Sequence, residues 1–343
     1  MPTPTTTPAT AEAYPAPLLA ADVGGTHVRV GLLRSDAPEA PSSVLDYRKY
    51  RCADFPGLSE ILATFLRDAG QPRVRHGIVA SAGYALDDGR VIASNLPWPL
   101  VIEQTRRSLD FQSLHLVNDF EAVAYAAPQM PAHEVLHLCG PQTATRRGPA
   151  LIIGPGTGLG AALWIPTSEG DVILATEAGQ ATLTATTETE LAVLRELRRQ
   201  HAHVSIEHLI SGPGLLTLYR TLAALREASA THQTPEAVAM AGLAHEDAVA
   251  RETLLMFADL LGSILGDMAL LYGVHEGIYL AGGFLPQLGP LILQSHFVER
   301  FLSKGNMRPA LEQIPVKIVE HGQLGVMGAA IWWKRHLARD LED

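Results

Sequence analysis

The stretch ALIIGPGTGLGAALWI, residues 150–165, decides the fold class of this chain. An apolar run leads into four glycines within seven residues, Gly154 to Gly160, and a second apolar run follows. So many glycines are costly in backbone entropy, which indicates a special role for the backbone here. The pattern predicts a strand, a tight turn and a second strand, with turn N–H groups able to bind an anion.

The same glycines partly match the dinucleotide-binding fingerprint of Rossmann folds. Gly156, Gly158 and Ala161 fit G-x-G-x-x-A, and Glu177 follows about 20 residues later. That fingerprint requires a helix directly after the turn, whereas Pro166 and another β-rich run follow here. We therefore favour a phosphate-binding hairpin and keep a nucleotide-dependent dehydrogenase as a minor alternative.

A related pattern near the N-terminus is LLAADVGGTHVRVGLL, residues 18–33, which also predicts strand, Gly-Gly turn and strand. Gly24, Gly25 and Thr26 offer N–H and hydroxyl donors to a phosphate, and Asp22 could hold a cation or its water nearby. An ordinary hairpin turn is the plain alternative. Two such hairpins predict two α/β halves, related by duplication, with a cleft between them.

The composition limits the class of protein. The 343 residues are 47% hydrophobic and carry a net charge of −10, which favours packed domains and opposes nucleic-acid or anionic-membrane partners. The chain has only two cysteines and four lysines; the cysteines allow no cysteine-based zinc site, and no lysine follows a glycine as a Walker A loop requires. Residues 1–17 lack the pattern of a signal peptide and are expected to form a disordered tail.

One motif resembles a zinc-hydrolase signature. The segment His133–His137 reads HEVLH, but H-E-x-x-H needs a sustained helix to place both histidines on one face. Pro131 precedes the segment and Gly140 follows it, so we expect a short strand and ordinary surface histidines.

Polar candidates for a site follow other apolar runs. Asn118 and Asp119 come directly after the strand pattern LHLV, where α/β folds place their sites. Asp119 is a candidate general base and Asn118 a candidate for binding hydroxyls, although either could simply cap the next helix.

Three further side chains, Glu177, Gln180 and Glu207, suit sugar hydroxyls, although exposure or capping would explain any one of them alone. Gly282 and Gly283 would let a flat ring approach a helix start, although alone they indicate only a turn.

The order of these segments resembles bacterial glucokinases of the non-ROK type, within the sugar kinase/actin-like ATPase superfamily. The resemblance runs from about Leu18 to the C-terminus and is carried by ADVGGT (21–26), NLPW (95–98), LVNDFEAVAYA (116–126), GPGTGLG (154–160), HVSIEHLISGPGLLTLYR (203–220) and LAGG (280–283). It implies an α/β, two-domain actin-like ATPase (ribonuclease H-like) fold with an interdomain cleft. The expected domains are residues 18–127 and 128–323, with the C-terminal helix 324–343 packing back on the first.

The resemblance also implies ATP- and Mg²⁺-dependent phosphorylation of the 6-hydroxyl of glucose in a cytoplasmic homodimer. Asp119 would be the general base. The sugar would be held by Asn95, Asn118, Asp119, Glu177, Gln180 and Glu207. ATP and its phosphates would be held by Asp22, Gly24, Gly25, Thr26, Gly156, Thr157, Gly158, Gly282 and Gly283, with Asp22 acting on Mg²⁺ indirectly.

The chain departs from the family pattern at the expected sugar site. Glu-Gly-Gly-His is Glu177-Ala-Gly-Gln180 here, Asp-Phe-Ala-Pro is replaced by residues 182–185 (TLTA), and His27 stands where Asn is usual. The alternatives are therefore a kinase for another hexose, or a catalytically weak sugar-binding sensor or regulator.

Overall fold

The computed structural model describes residues 17–34, 43–82, 84–85, 90–92, 96–319 and 322–336. The chain divides into two compact units, residues 1–117 with 329–343, and residues 118–328. Residues 118–127 thus group with the second unit, while the expected boundaries of the functional domains and the cleft between them stay predictions.

The first unit is built on a mixed five-stranded sheet in the order β3-β2-β1-β4-β8. Its elements are β1 (Leu18–Val23), β2 (His27–Arg34), β3 (Ser43–Arg51), α1 (Leu58–Asp68), β4 (His76–Ser81), β5 (Tyr84–Ala85), β6 (Arg90–Ile92), β7 (Leu100–Val101), α2 (Ile102–Ser108) and β8 (Ser113–Val117). β1 pairs antiparallel with β2 and parallel with β4, and β5–β7 form a small separate sheet.

Apolar and polar side chains alternate along β2, and the apolar ones form part of the core of this unit. Val28 and Val30 are fully buried on one face, where Phe65 and Ile61 of α1 join the same apolar cluster. Arg29 lies on the opposite face of β2, as the period of two predicts.

The second unit contains a six-stranded sheet in the order β12-β11-β10-β13-β14-β9. Its elements are α3 (Asp119–Ala126), β9 (Val135–Cys139), β10 (Ala150–Pro155), β11 (Leu159–Thr167), β12 (Gly170–Thr176), α4 (Glu188–Leu197), α5 (Gly212–Leu225), α6 (Pro235–Leu243), α7 (Ala248–Leu271), β13 (Gly277–Leu280), α8 (Leu285–Ile292), α9 (Phe297–Leu302), α10 (Arg308–Leu311) and β14 (Val316–Val319). The last helix, α11 (Leu324–His336), contributes residues to both units.

Several local predictions are confirmed. Both glycine-rich segments are antiparallel hairpins, and a strand rather than a helix follows Gly158, as the argument against a Rossmann fold requires. HEVLH does not form a helix, because His133 lies in a short 3₁₀ turn and Val135 begins β9. In addition, Thr187 and Glu190 form a capping box at the start of α4.

Helix α7 is long, at 24 residues, and strongly apolar. By length and composition it is the one described helix that could cross a membrane. However, 67% of its apolar 18-residue stretch is buried inside the protein. Phe257, Leu261 and Leu265 are fully buried in the main apolar cluster of the second unit, as in a core helix.

Candidate functional site

The glycine-rich turn between β10 and β11 offers donors to an anion. The Gly156 N–H donates to the Gly158 carbonyl over 2.7 Å, which closes the turn. The N–H groups of Thr157 and Gly158 and the Thr157 hydroxyl have no hydrogen-bond partner among the described residues. Three unpaired donors at one turn suit a phosphate.

Close packing explains why this hairpin needs glycine. A Cβ on Gly154 would overlap the carbonyl of Ala281, and a Cβ on Gly282 would lie 2.7 Å from the Pro155 carbonyl oxygen. The turn after β13 therefore lies directly against the hairpin. The structure thus brings two predicted nucleotide-binding segments together, the Gly156–Gly158 turn and Gly282 with Gly283.

Asn118 and Asp119 stand at the start of α3. The Asn118 Oδ1 accepts hydrogen bonds from the N–H groups of Phe120 and Glu121, both over 3.0 Å, so the capping role is real. The Asn118 amide nitrogen has no such partner within the described part of the chain and can still donate to a hydroxyl. Asp119 is half-buried, and its Oδ1 lies 2.9 Å from the Phe120 nitrogen.

Phe120 ties this helix start to the glycine-rich hairpin. Its ring occupies the space over Gly160 and lies 2.9 Å from the position of a Cβ on Gly154. Asp119 is therefore held on an element that packs directly on the candidate phosphate turn. Sequence reasoning missed Phe120, for which the aromatic residue inside NDFEA was the available signal.

Gln180 and Glu207 are in direct contact. The Gln180 Nε2 donates to the Glu207 Oε1 over 3.2 Å, and the Leu159 N–H donates to the Glu207 Oε2 over 2.7 Å. The His203 Nε2 lies 2.9 Å from the Gln180 carbonyl oxygen. Both segments predicted to bind sugar therefore meet at the hairpin.

Glu177 precedes the 3₁₀ turn Ala178–Gln180, and its carbonyl accepts from the Gln180 N–H over 2.9 Å. Its side chain is exposed and accessible to a ligand. Asn95 lies outside the described residues.

The turn of the first unit is supported by residues that sequence reasoning did not select. The Cys52 N–H donates to the Thr26 carbonyl over 2.9 Å, and the Cys52 thiol contacts the Gly24 carbonyl at 3.3 Å. The Trp98 Nε1 donates to the Cys52 carbonyl over 3.2 Å, which gives the tryptophan of NLPW a supporting role. Gly25 and Thr26 keep N–H groups without a partner among the described residues.

Asp22 lies at the end of β1 beside this turn. The Arg29 Nη1 donates to the Asp22 Oδ2 over 3.2 Å. Burial raises the pKa of the Asp22 carboxyl, and the Arg29 guanidinium lowers it by a smaller amount. One carboxylate oxygen is thus engaged, which fits an outer role toward a hydrated cation better than direct ligation.

The two hairpins and the sheets behind them belong to the two-domain actin-like ATPase fold, which solved glucokinases and ROK sugar kinases share. In comparisons with known proteins, the family model "Glucokinase" matches residues 19–336. The chain belongs to the glucokinase family.

Individual relatives agree with this assignment. A "Glucokinase-like protein" of Xylella fastidiosa (strain 9a5c) is 52% identical over 317 residues, covering 92% of this chain and 94% of the relative. The crystal structure of a glucokinase from an Antarctic psychrotroph has a TM-score of 0.80 at 34% identity, covering 92% of this chain and 98% of that one. A ROK-family glucokinase from Streptomyces griseus, solved with glucose and AMPPNP, has a TM-score of 0.63 at 18% identity, covers 92% of this chain and 98% of that one, and supports the fold alone.

Proposed function

We propose that this protein transfers the terminal phosphoryl group of ATP to the 6-hydroxyl of glucose, with Asp119 as the general base. The observation that carries the proposal is the packing of Phe120 on Gly154 and Gly160. It fixes the residue next to the proposed base on the turn whose free N–H groups suit phosphate. Phosphoryl transfer depends mainly on such positioning and on charge neutralisation.

In this mechanism, Asp119 orients the 6-hydroxyl toward the γ-phosphate and accepts its proton as the new P–O bond forms, while the bond from the γ-phosphorus to the bridging oxygen breaks and ADP leaves. The Thr157 and Gly158 N–H groups, which have no hydrogen-bond partner among the described residues, bind phosphate oxygens. Asn118 donates to a sugar hydroxyl through its amide nitrogen while its oxygen keeps capping α3. The match of the family model "Glucokinase" over residues 19–336 supports the choice of glucose as the sugar.

Mg²⁺ would be held near Asp22 through water and, when bound, would neutralise charge on the transferring phosphate. The free Oδ1 of Asp22, beside an Oδ2 that accepts from Arg29, fits that role. Gly283 leaves room for the adenosine, since no atom lies within 4 Å of a Cβ built on it, and Gly282 lets the same turn pack against the Pro155 carbonyl.

Gln180 favours a second candidate function, in which the protein binds sugar with little turnover or prefers another hexose. The glutamine places a flexible amide where the family has an imidazole. Misplacing one partner of a sugar hydroxyl weakens discrimination between sugars.

A coupled assay with ATP, Mg²⁺ and a panel of hexoses separates these functions. We expect rapid formation of ADP with glucose, and a ³¹P spectrum of the product that shows a 6-phosphate. Rapid turnover only with another hexose would change the substrate. Saturable glucose binding without ADP formation would instead establish the sensor.

A further inference from the structure

Glu207 has both carboxylate oxygens engaged by protein groups, from two different segments. Its Oε2 accepts from the Leu159 N–H over 2.7 Å, and its Oε1 accepts from the Gln180 side chain over 3.2 Å. Leu159 is the first residue of β11, directly after the Gly156–Gly158 turn. The carboxylate therefore bridges the sugar segment and the root of the phosphate turn.

The turn is shaped to receive this carboxylate. A Cβ built on Gly158 would lie 2.5 Å from the Glu207 Oε2 and 3.1 Å from its Cδ. The absence of a side chain at Gly158 thus makes room for Glu207.

Residues that follow Glu207 in the chain also hold the turn through hydrogen bonds. The buried Ser211 hydroxyl donates to the Glu207 carbonyl over 2.9 Å and also caps α5 by accepting from the Gly214 N–H. The Gly212 N–H donates to the Gly156 carbonyl over 2.8 Å. Residues 207–212 therefore contact the turn at Gly156, Gly158 and Leu159.

We propose that Glu207 is a positioning residue for the phosphate turn, in addition to any contact with sugar. By holding Leu159 and filling the space at Gly158, it leaves the Thr157 and Gly158 N–H groups oriented for phosphate. Nucleotide affinity therefore depends on Glu207 even when no sugar is bound. This inference rests on the proposed function, in which the turn binds the phosphates of ATP.

The test is the Kd for ATP and Mg²⁺ measured by calorimetry on the full chain without sugar. We expect Glu207→Ala to weaken ATP binding about tenfold, because it leaves the Leu159 N–H unpaired and the turn unsupported. We expect Glu207→Gln to stay within about threefold of the wild type, because its amide oxygen can still accept from Leu159 while Gln180 turns its own oxygen inward. Glu188→Gln, an exposed carboxylate on α4, is the control and should leave the Kd unchanged.

A second variant avoids the risk that Glu207→Ala fails to fold. Gly158→Ala places a methyl group against the flexible end of Glu207, so the carboxylate must leave Leu159 while the backbone stays in place. We expect Gly158→Ala to weaken ATP binding as Glu207→Ala does. In the double variant Glu207→Ala with Gly158→Ala, the Kd for ATP should be less than about twofold higher than in Glu207→Ala alone. The reason is that the three atoms nearest to a Cβ at position 158 all belong to the Glu207 side chain, which the double variant lacks.

Other outcomes would overturn the proposal. Tighter ATP binding by Glu207→Ala and Glu207→Gln would mean that the carboxylate competes with phosphate. Fully additive losses in the double variant would mean that the methyl group meets the nucleotide itself. A wild-type protein that binds ATP but phosphorylates no hexose would overturn the proposed function alone, and one that binds no nucleotide would overturn both.

Discussion

The ring of Phe120 fills the space directly over Gly160, so that any side chain at this glycine would overlap it. This contact joins the start of α3, where Asp119 stands, to the glycine-rich hairpin. In a closely packed interior a single added methyl group is felt by its neighbours. A substitution at Gly160 should therefore disturb the position of Asp119 in the proposed site.

Gly160→Ala tests this packing. We expect it to destabilise the protein by about 1–3 kcal/mol, because the ring must move or the hairpin must shift. Hexose kinase activity should fall as well, since the helix that bears Asp119 moves with the ring. Urea unfolding and the coupled assay measure the two effects.

Gly57→Ala is the matched control, because the nearest atom to its new Cβ is the flexible Glu60 Oε2 at 3.1 Å. It should change stability by less than the Gly160 variant and leave activity unchanged. Equal losses in the two variants would mean that Phe120 imposes no special constraint.

A buried ion pair stabilises the segment after Gln180. Glu190, whose side chain is 3% exposed, accepts from the Arg300 guanidinium at 2.8 Å and from the backbone N–H groups of Thr186 and Thr187. We expect Arg300→Met to cost about 3 kcal/mol in urea unfolding at pH 7, because it leaves a buried carboxylate without its cation.

The exposed pair of Arg199 and Glu196 provides the control for that measurement. The Arg199 side chain is 75% exposed, so Arg199→Met should cost less than about 1 kcal/mol. Similar losses of unfolding free energy in Arg300→Met and Arg199→Met would contradict the claim that burial makes the Arg300–Glu190 pair more important for stability.

Gln180 tests the source of sugar preference. Gln180→His restores the residue typical of the family, so we expect kcat/KM for glucose to rise about tenfold relative to other hexoses. Gln200→His, at an exposed site, is the control. An unchanged or lower preference for glucose would show that the glutamine is not what sets the selectivity.

His208 gives a dependence of stability on pH. Its Nδ1 accepts from the Ser205 N–H at 3.1 Å, which requires that nitrogen to be unprotonated. Burial lowers the pKa of His208 below its ordinary 6.5, and the neighbouring His201 and His203 lower it further. The fold favours the neutral form, so this contribution is complete above pH 6.5 and is lost as the pH falls from there through the lowered pKa.

We therefore expect His208→Gln to flatten the fall in unfolding free energy below pH 6.5. Urea titrations between pH 7.5 and about 5 measure the slope. Burial also lowers the pKa values of His76 and His115. These two histidines therefore still cause some loss of unfolding free energy below pH 6.5 in the variant. An identical slope in the variant would contradict the assignment.

Local signals in the sequence were sufficient for much of the fold. The two hairpins follow from apolar runs around glycine-rich turns, and the apolar periodicity of residues 248–271 accounts for α7. The pairing of β9 with β14 joins distant segments, and no local pattern gives its register. Helix α8 is hidden from local pattern reading, because Pro290 lies inside it.

The site was predictable in its residue types and not in its contacts. The pattern selected Gln180, Glu207 and Asp119, but it could not show that Glu207 binds Leu159 or that Phe120 covers Gly160. Those contacts arise between elements that only folding brings together. The ion pair of Asp22 with Arg29 likewise depends on the register of β1 and β2.

The most direct test of the central claim is the kcat for glucose phosphorylation by Asp119→Asn, measured beside the wild type and the exposed control Asp110→Asn. We predict a fall of about 10²–10⁴-fold in Asp119→Asn, with an unchanged circular dichroism spectrum and activity retained in the control. Turnover by Asp119→Asn at the wild-type rate would contradict Asp119 as the general base.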